Sequence, residues 1–207
     1  MHIFKMTQLR PPPCLIIGRW QPSVMERAAA IDLLRRYVHD EHLLRHCIAT
    51  GAVMKSLATA LNEDALRWEL IGILHDIDFE LVKGDMQQHG VRGAGLLAEQ
   101  GFDPDFVLVV RNHNHFLHAG TYSRPVEIAL QASDSVSGLV IACALVKGGR
   151  LSDVTAKTVA KKSKEKSFAA GCDRSRIALI VPIMDLPVLY DAAIRGLMEC
   201  RTELELT

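Results

Sequence analysis

The chain has 207 residues, with Lys+Arg and Asp+Glu equal at 24 each and a formal net charge of zero. That length suits one domain, or one with an appendage, with a real core, and the charge balance gives no global field for a nucleic-acid polymer or a membrane, so neither is expected as a partner. Five scattered cysteines (Cys14, Cys47, Cys143, Cys172, Cys200) without a CxxC argue against a disulfide framework or a zinc–thiolate site and suit a reducing cytoplasm.

Residues 1–22 carry Pro11-Pro12-Pro13 and no periodicity, so they are expected to form a flexible N-terminal extension. Their apolar patch, Cys14 to Ile17, is too short for a signal-peptide core. A single helical domain is expected over residues 23–207. Ser23 followed by Glu26 reads as a capping box and predicts a helix over residues 24–38. A second helix is predicted over 42–61, with Leu43, Cys47, Val53, Met54, Leu57 and Leu61 apolar and His46 beside that face. Asn62-Glu63-Asp64 separates it from a buried helix over 65–74, which ends in His75-Asp76.

A loop over 77–86 contains Asp78, Glu80 and Lys83. A helix over 88–100, with His89 in its first turn and Arg92 after it, stops at Gly101. Asp103-Pro104 caps the next helix, which continues to His115; its β-branched residues also permit a strand. The longest apolar helix spans 125–146 and encloses Asp134. No apolar run is expected to approach the roughly 18 residues of a membrane span. Gly148-Gly149 ends that helix, a lysine-rich amphipathic helix follows over 151–170, a short one begins at Asp173, and a last one covers 185–203. The total is an all-α bundle of about eight or nine helices.

The chemistry concentrates in spaced His and Asp residues. A buried carboxylate such as Asp76 is costly unless paired or bound to a cation, and imidazoles with carboxylates are metal donors. His2, His39, His42 and His118 stand in polar or terminal contexts without apolar periodicity and carry no such signal.

The order His, His-Asp, Asp on successive helices resembles the HD-domain superfamily of metal-dependent phosphohydrolases. The resemblance runs through RHCIATGAVMKSLA, IGILHDIDFE, HGVRGAGLLAEQGF, VRNHNH and ALQASDSVSGLV. The later run KKSKEKSFAAGCDR looks like a segment of a bacterial and archaeal subgroup of predicted hydrolases. The resemblance implies an HD-like helical bundle in which His46, His75, Asp76 and Asp134 hold one metal. His89 and His113 match the histidines that some members use for a second metal, bridged by Asp76. Asn114 stands where many dinuclear members have a second consecutive His, Asp78 follows where Gly is usual, and the GYP signature of cyclic-dinucleotide phosphodiesterases is missing.

The donor set suits Mn, Fe, Co, Ni, Zn or Mg, one ion or two, activating water against a nucleotide or another small phosphoester. Asp76, Asp78 and Glu80 are the candidate catalytic carboxylates, and Lys83, Arg92 and Lys147 are candidate phosphate holders by chemical type. A di-iron oxygenase on the same fold and a non-catalytic HD binding module are the alternative readings.

Overall fold

The computed structural model describes residues 25–118 and 120–207. Among these there is no strand, and the elements are α1 (Arg27–Leu34), α2 (Glu41–Leu61), α3 (Ala65–Leu74), α4 (Val91–Glu99), α5 (Pro104–Asn112), α6 (Pro125–Leu145), a 3-10 turn (Leu151–Asp153), α7 (Ala156–Ser163), α8 (Arg174–Ala178) and α9 (Leu186–Glu199). The all-α expectation holds, and the strand alternative around Val107–Val110 is excluded by α5. The expected extension, residues 1–22, and Ser23 of the expected capping box lie outside the described residues.

The helix ends follow local chemistry. Asp40 caps α2 by accepting from the His42 and Leu43 amides, and Asn62, in the left-handed region at φ 57°, ends it. Asp64 accepts from the Arg67 amide and starts α3; Asp103 accepts from Asp105 and Phe106 and starts α5, with Pro104 in its first turn. The helix expected from residue 88 begins only at Val91, because Gly90 sits at φ 81° and cannot continue a helix backward. The first helix is shorter than predicted and has Glu26 at its N-cap.

The lysine-rich helix expected over 151–170 is also corrected. It resolves into a 3-10 turn and the eight-residue α7, capped by Thr155. Beyond Ser163 the backbone carbonyls turn to Arg174, whose Nη1 donates to Ala169 at 2.7 Å and to Cys172 at 2.6 Å. Carbonyls satisfied by a guanidinium no longer need helical N–H partners.

Helix α2 is the centre of the bundle, packed on α3, α6 and α9, with Cys47, Val53, Met54 and Leu57 fully buried. Helix α6 is 21 residues long with a mean hydropathy of 1.6, which by length and composition is enough to cross a membrane. This corrects the expectation that no segment reaches that threshold. Most of that apolar stretch, 72%, is buried inside the protein, and Glu127, Gln131 and Asp134 interrupt it.

Helices α2 and α3 meet through glycine. A Cβ on Gly72 would lie 2.6 Å from Gly51 Cα and 2.8 Å from Gly51 N, both backbone atoms that cannot move aside. This contact puts His46, five residues before Gly51, and His75, three after Gly72, at the same end of the hairpin, with ring centroids 5.3 Å apart. Gly72→Ala is therefore expected to cost about 3 kcal/mol, the upper part of the overpacking range. Urea unfolding should show a lower midpoint at an unchanged slope.

Candidate metal centre

Five segments bring six side chains to one point. His46 comes from α2, His75 and Asp76 from the end of α3, His89 from the turn before α4, His113 from the end of α5 and Asp134 from the middle of α6. Asp76 lies at the middle. Its Oδ2 faces His46 Nε2 at 3.6 Å and His75 Nε2 at 3.3 Å, and its Oδ1 faces His89 Nε2 at 3.4 Å and His113 Nε2 at 3.2 Å. Asp134 Oδ1 completes the first half, 3.3 Å from His46 Nε2. Two donor groups of imidazole and carboxylate alone result among the described residues, His46–His75–Asp134 and Asp76–His89–His113, with ligand atoms in each within 4.8 Å of one another.

Backbone and carboxylate acceptors fix the imidazole tautomers. A carbonyl can only accept, so His75 Nδ1–H donates to Gly72 O at 2.8 Å and His113 Nδ1–H donates to Val110 O at 2.5 Å. His89 Nδ1–H donates to Asp78 Oδ1 at 2.9 Å. In all three rings the proton is turned outward and Nε2 inward, as in metal-ligating histidines.

The test of fit is His75 Nε2, which is buried without a hydrogen-bond partner. Burial pushes the His75 pKa down to about 4, so this nitrogen presents a lone pair to the carboxylate of Asp76. A lone pair facing a carboxylate oxygen in a buried site needs a cation between them. The residues present therefore fit a divalent metal.

The charges agree with that fit. Burial alone would lower His89, but hydrogen bonds and charges from Asp76 and Asp78 raise it to about 9. His89 thus carries a proton in the metal-free protein, which a metal must displace. For Asp134, burial is outweighed by His46 and Arg176, which hold it well below the usual carboxylate range; His46 is in turn raised, burial being outweighed by Asp134 and Asp76. The open side of the cluster is at His46, whose side chain is 28% exposed, against 0% for His75.

Two of the candidate catalytic carboxylates have other work. Asp78 is fully buried and accepts from the Gly90 amide at 2.8 Å, the Gly93 amide at 2.6 Å and His89. It starts α4 and orients His89, with no oxygen left for a substrate. Glu80 Oε1 accepts from the His39 and Asp40 amides at 2.8 and 2.7 Å, so it holds the loop entering α2.

The expected phosphate holders are not drawn into the cluster. Lys83 and Arg92 are exposed, and Lys147 lies beyond the end of α6, roughly 20 Å from Asp134 at 1.5 Å per residue. Asn114 is buried, donates to Met86 O and His89 O, and so braces the turn carrying His89 instead of facing the cluster. His115 is exposed against Phe116.

Sequence reasoning missed three neighbours. Cys47, next to His46, is grouped with His75 and Asp76; burial first, then the Asp76 and Asp134 charges, push its thiol well above the usual range, which keeps it protonated. Arg176 Nη2 lies 2.6 Å from Asp134 Oδ2, and Arg176 Nε donates to Gln131 at 2.7 Å. Gln131 donates to His113 O at 2.8 Å. Adjacency to His46 was the available signal for Cys47; α8, which carries Arg176, bears no motif that points to the site.

Comparison with known proteins agrees with this arrangement. An uncharacterized protein of Methanocaldococcus jannaschii is 32% identical over 116 residues, which cover 53% of this chain and 65% of that protein. No solved structure matches the chain. The family model of the HD domain matches residues 43–145, the segment that supplies all six converging side chains, and this part of the chain is an HD domain.

Proposed function

We propose that this chain is a metal-dependent phosphohydrolase acting on a nucleotide or another small phosphoester. The observation that carries the reading is the buried, unpartnered His75 Nε2, aimed at an Asp76 whose two oxygens face different histidine pairs. His46, His75, Asp76 and Asp134 would hold one divalent ion, and Asp76, His89 and His113 a second. Such ions, when bound, polarise a phosphoryl oxygen and acidify a water.

The chain's own residues do the rest. Gly72 O, Val110 O and Asp78 hold three imidazoles with Nε2 inward, so no ring has to rotate. Burial of His75 and His113 excludes bulk water from the floor of the site, and the exposed edge of His46 leaves one side for a substrate. Asp78 is a positioning residue for His89, and Glu80 is a loop anchor. Cys47, Cys143, Cys172 and Cys200 are free thiols, which supports a cytoplasmic setting for the reaction.

The test is elemental analysis of protein purified without chelator, together with a phosphoester screen before and after chelation. Bound metal with hydrolysis that is lost on chelation and restored by metal is the expected result. Mixed-valent iron with oxygen consumption and no hydrolysis would instead establish the di-iron oxygenase, and a metal-free, inactive protein would establish the binding module.

A further inference from the structure

Apart from imidazoles, Arg176 is the one cation paired with a carboxylate of the cluster among the described residues. It lies beyond the segment matched to the HD domain, on α8. Gln131 Oε1 accepts from its Nε at 2.7 Å, and Asp134 Oδ2 pairs with Nη2 at 2.6 Å by charge, without a hydrogen bond, so Gln131 anchors the guanidinium and Asp134 neutralises it. Gln131 is itself fully buried and anchored on His113 O. The third nitrogen, Nη1, has no hydrogen-bond partner among the described residues, and the side chain keeps 15% exposure. Asp134 and His46, exposed by 18% and 28%, line the open side of the cluster next to it.

A guanidinium anchored through Nε and paired with a carboxylate, with Nη1 uncommitted beside a metal centre, is a receptor for an oxyanion. Neutralising Asp134 accounts for Nη2 alone. The charge balance points the same way. Asp76, Asp78 and Asp134 bring three negative charges; if two divalent ions were bound, they and Arg176 would bring five positive ones, a surplus that a phosphate dianion would match.

We propose that Arg176 binds a nonbridging oxygen of the substrate's phosphoryl group at the open side of the metal centre, through Nη1, while Gln131 anchors Nε and Asp134 stays paired with Nη2 by charge. It takes the role expected from sequence for Lys83, Arg92 and Lys147. The proposal rests on the phosphohydrolase reading.

Inorganic phosphate is the probe, titrated calorimetrically into the full chain loaded with Zn(II). Arg176→Met should weaken phosphate binding about 10–100-fold, the loss of a charge-assisted hydrogen bond, at unchanged zinc content. Phosphate affinity kept within threefold would overturn the proposal. Loss of zinc together with phosphate would overturn it as well, because Arg176 would then serve only to brace Asp134. A wild-type protein that takes up zinc but no phosphate would refute the phosphohydrolase reading and this proposal together. Should Arg176→Met not fold, Arg176→Lys identifies the Arg176 Nε–H signal by its disappearance from the NMR spectrum. In the wild type that signal must shift when phosphate is added, and an unmoved signal would overturn the proposal.

Discussion

Asp76→Ala is expected to remove bound metal and phosphoester hydrolysis together. Among the described residues, the Asp76 carboxylate is the only group that faces both halves of the cluster, Oδ2 toward His46 and His75 and Oδ1 toward His89 and His113. Replacing a group that merely orients a ligand costs roughly 10–100-fold in metal affinity. Deleting an oxygen donor from both halves at once should exceed a hundredfold. Asp76→Asn, which keeps the shape and loses the charge, should fall almost as far. Elemental analysis and turnover on the same preparations provide the check, and a variant with full metal content and full turnover would remove Asp76 from the centre.

The paired substitution His89→Ala with His113→Ala should lower the metal count from two ions to one. These two rings face Asp76 Oδ1 and each other, with their Nε2 atoms 2.9 Å apart, and neither takes part in the His46–His75–Asp134 group. The remaining half keeps His46, His75, Asp134 and Asp76 Oδ2, so one ion should stay. Hydrolysis should fall by at least about a hundredfold if both ions act on the phosphoryl group, since each 1.4 kcal/mol of lost transition-state stabilisation is a factor of ten. A count of one ion in both proteins would leave His89 and His113 as pocket walls.

The helices and the metal cluster were legible in the sequence for different reasons. Helix ends at Asp40, Asn62, Asp64 and Asp103 are local, written in caps and left-handed stops that act within four residues. The end of α7 is not local: it is set by Arg174 reaching back to the carbonyls of residues 169 and 172. The cluster was legible because His and Asp within apolar helices have few other uses there. The roles of Asp78 and Glu80 were not, since both follow the His-Asp pair closely in sequence. Their partners are amides at Gly90, Gly93, His39 and Asp40, far along the chain, and only the tertiary turn decides whether a carboxylate faces a substrate or a backbone. Arg176 was hidden for the same reason, being 42 residues beyond Asp134.

The outward ties of the three imidazoles have a consequence for how the site discriminates between ions. Gly72 O and Val110 O belong to α3 and α5 themselves, and Asp78 is locked by the start of α4, so ligand directions are set by helix geometry. A preorganised ligand set of this kind cannot expand or contract to suit each cation. Among borderline metals that all favour nitrogen and oxygen donors, rigidity and the supply of ions in the cell decide selection more than intrinsic affinity does. The glycine contact between Gly51 and Gly72, which sets how closely α2 approaches α3, then also tunes the ionic radius the site accepts, through residues that supply no donor atom.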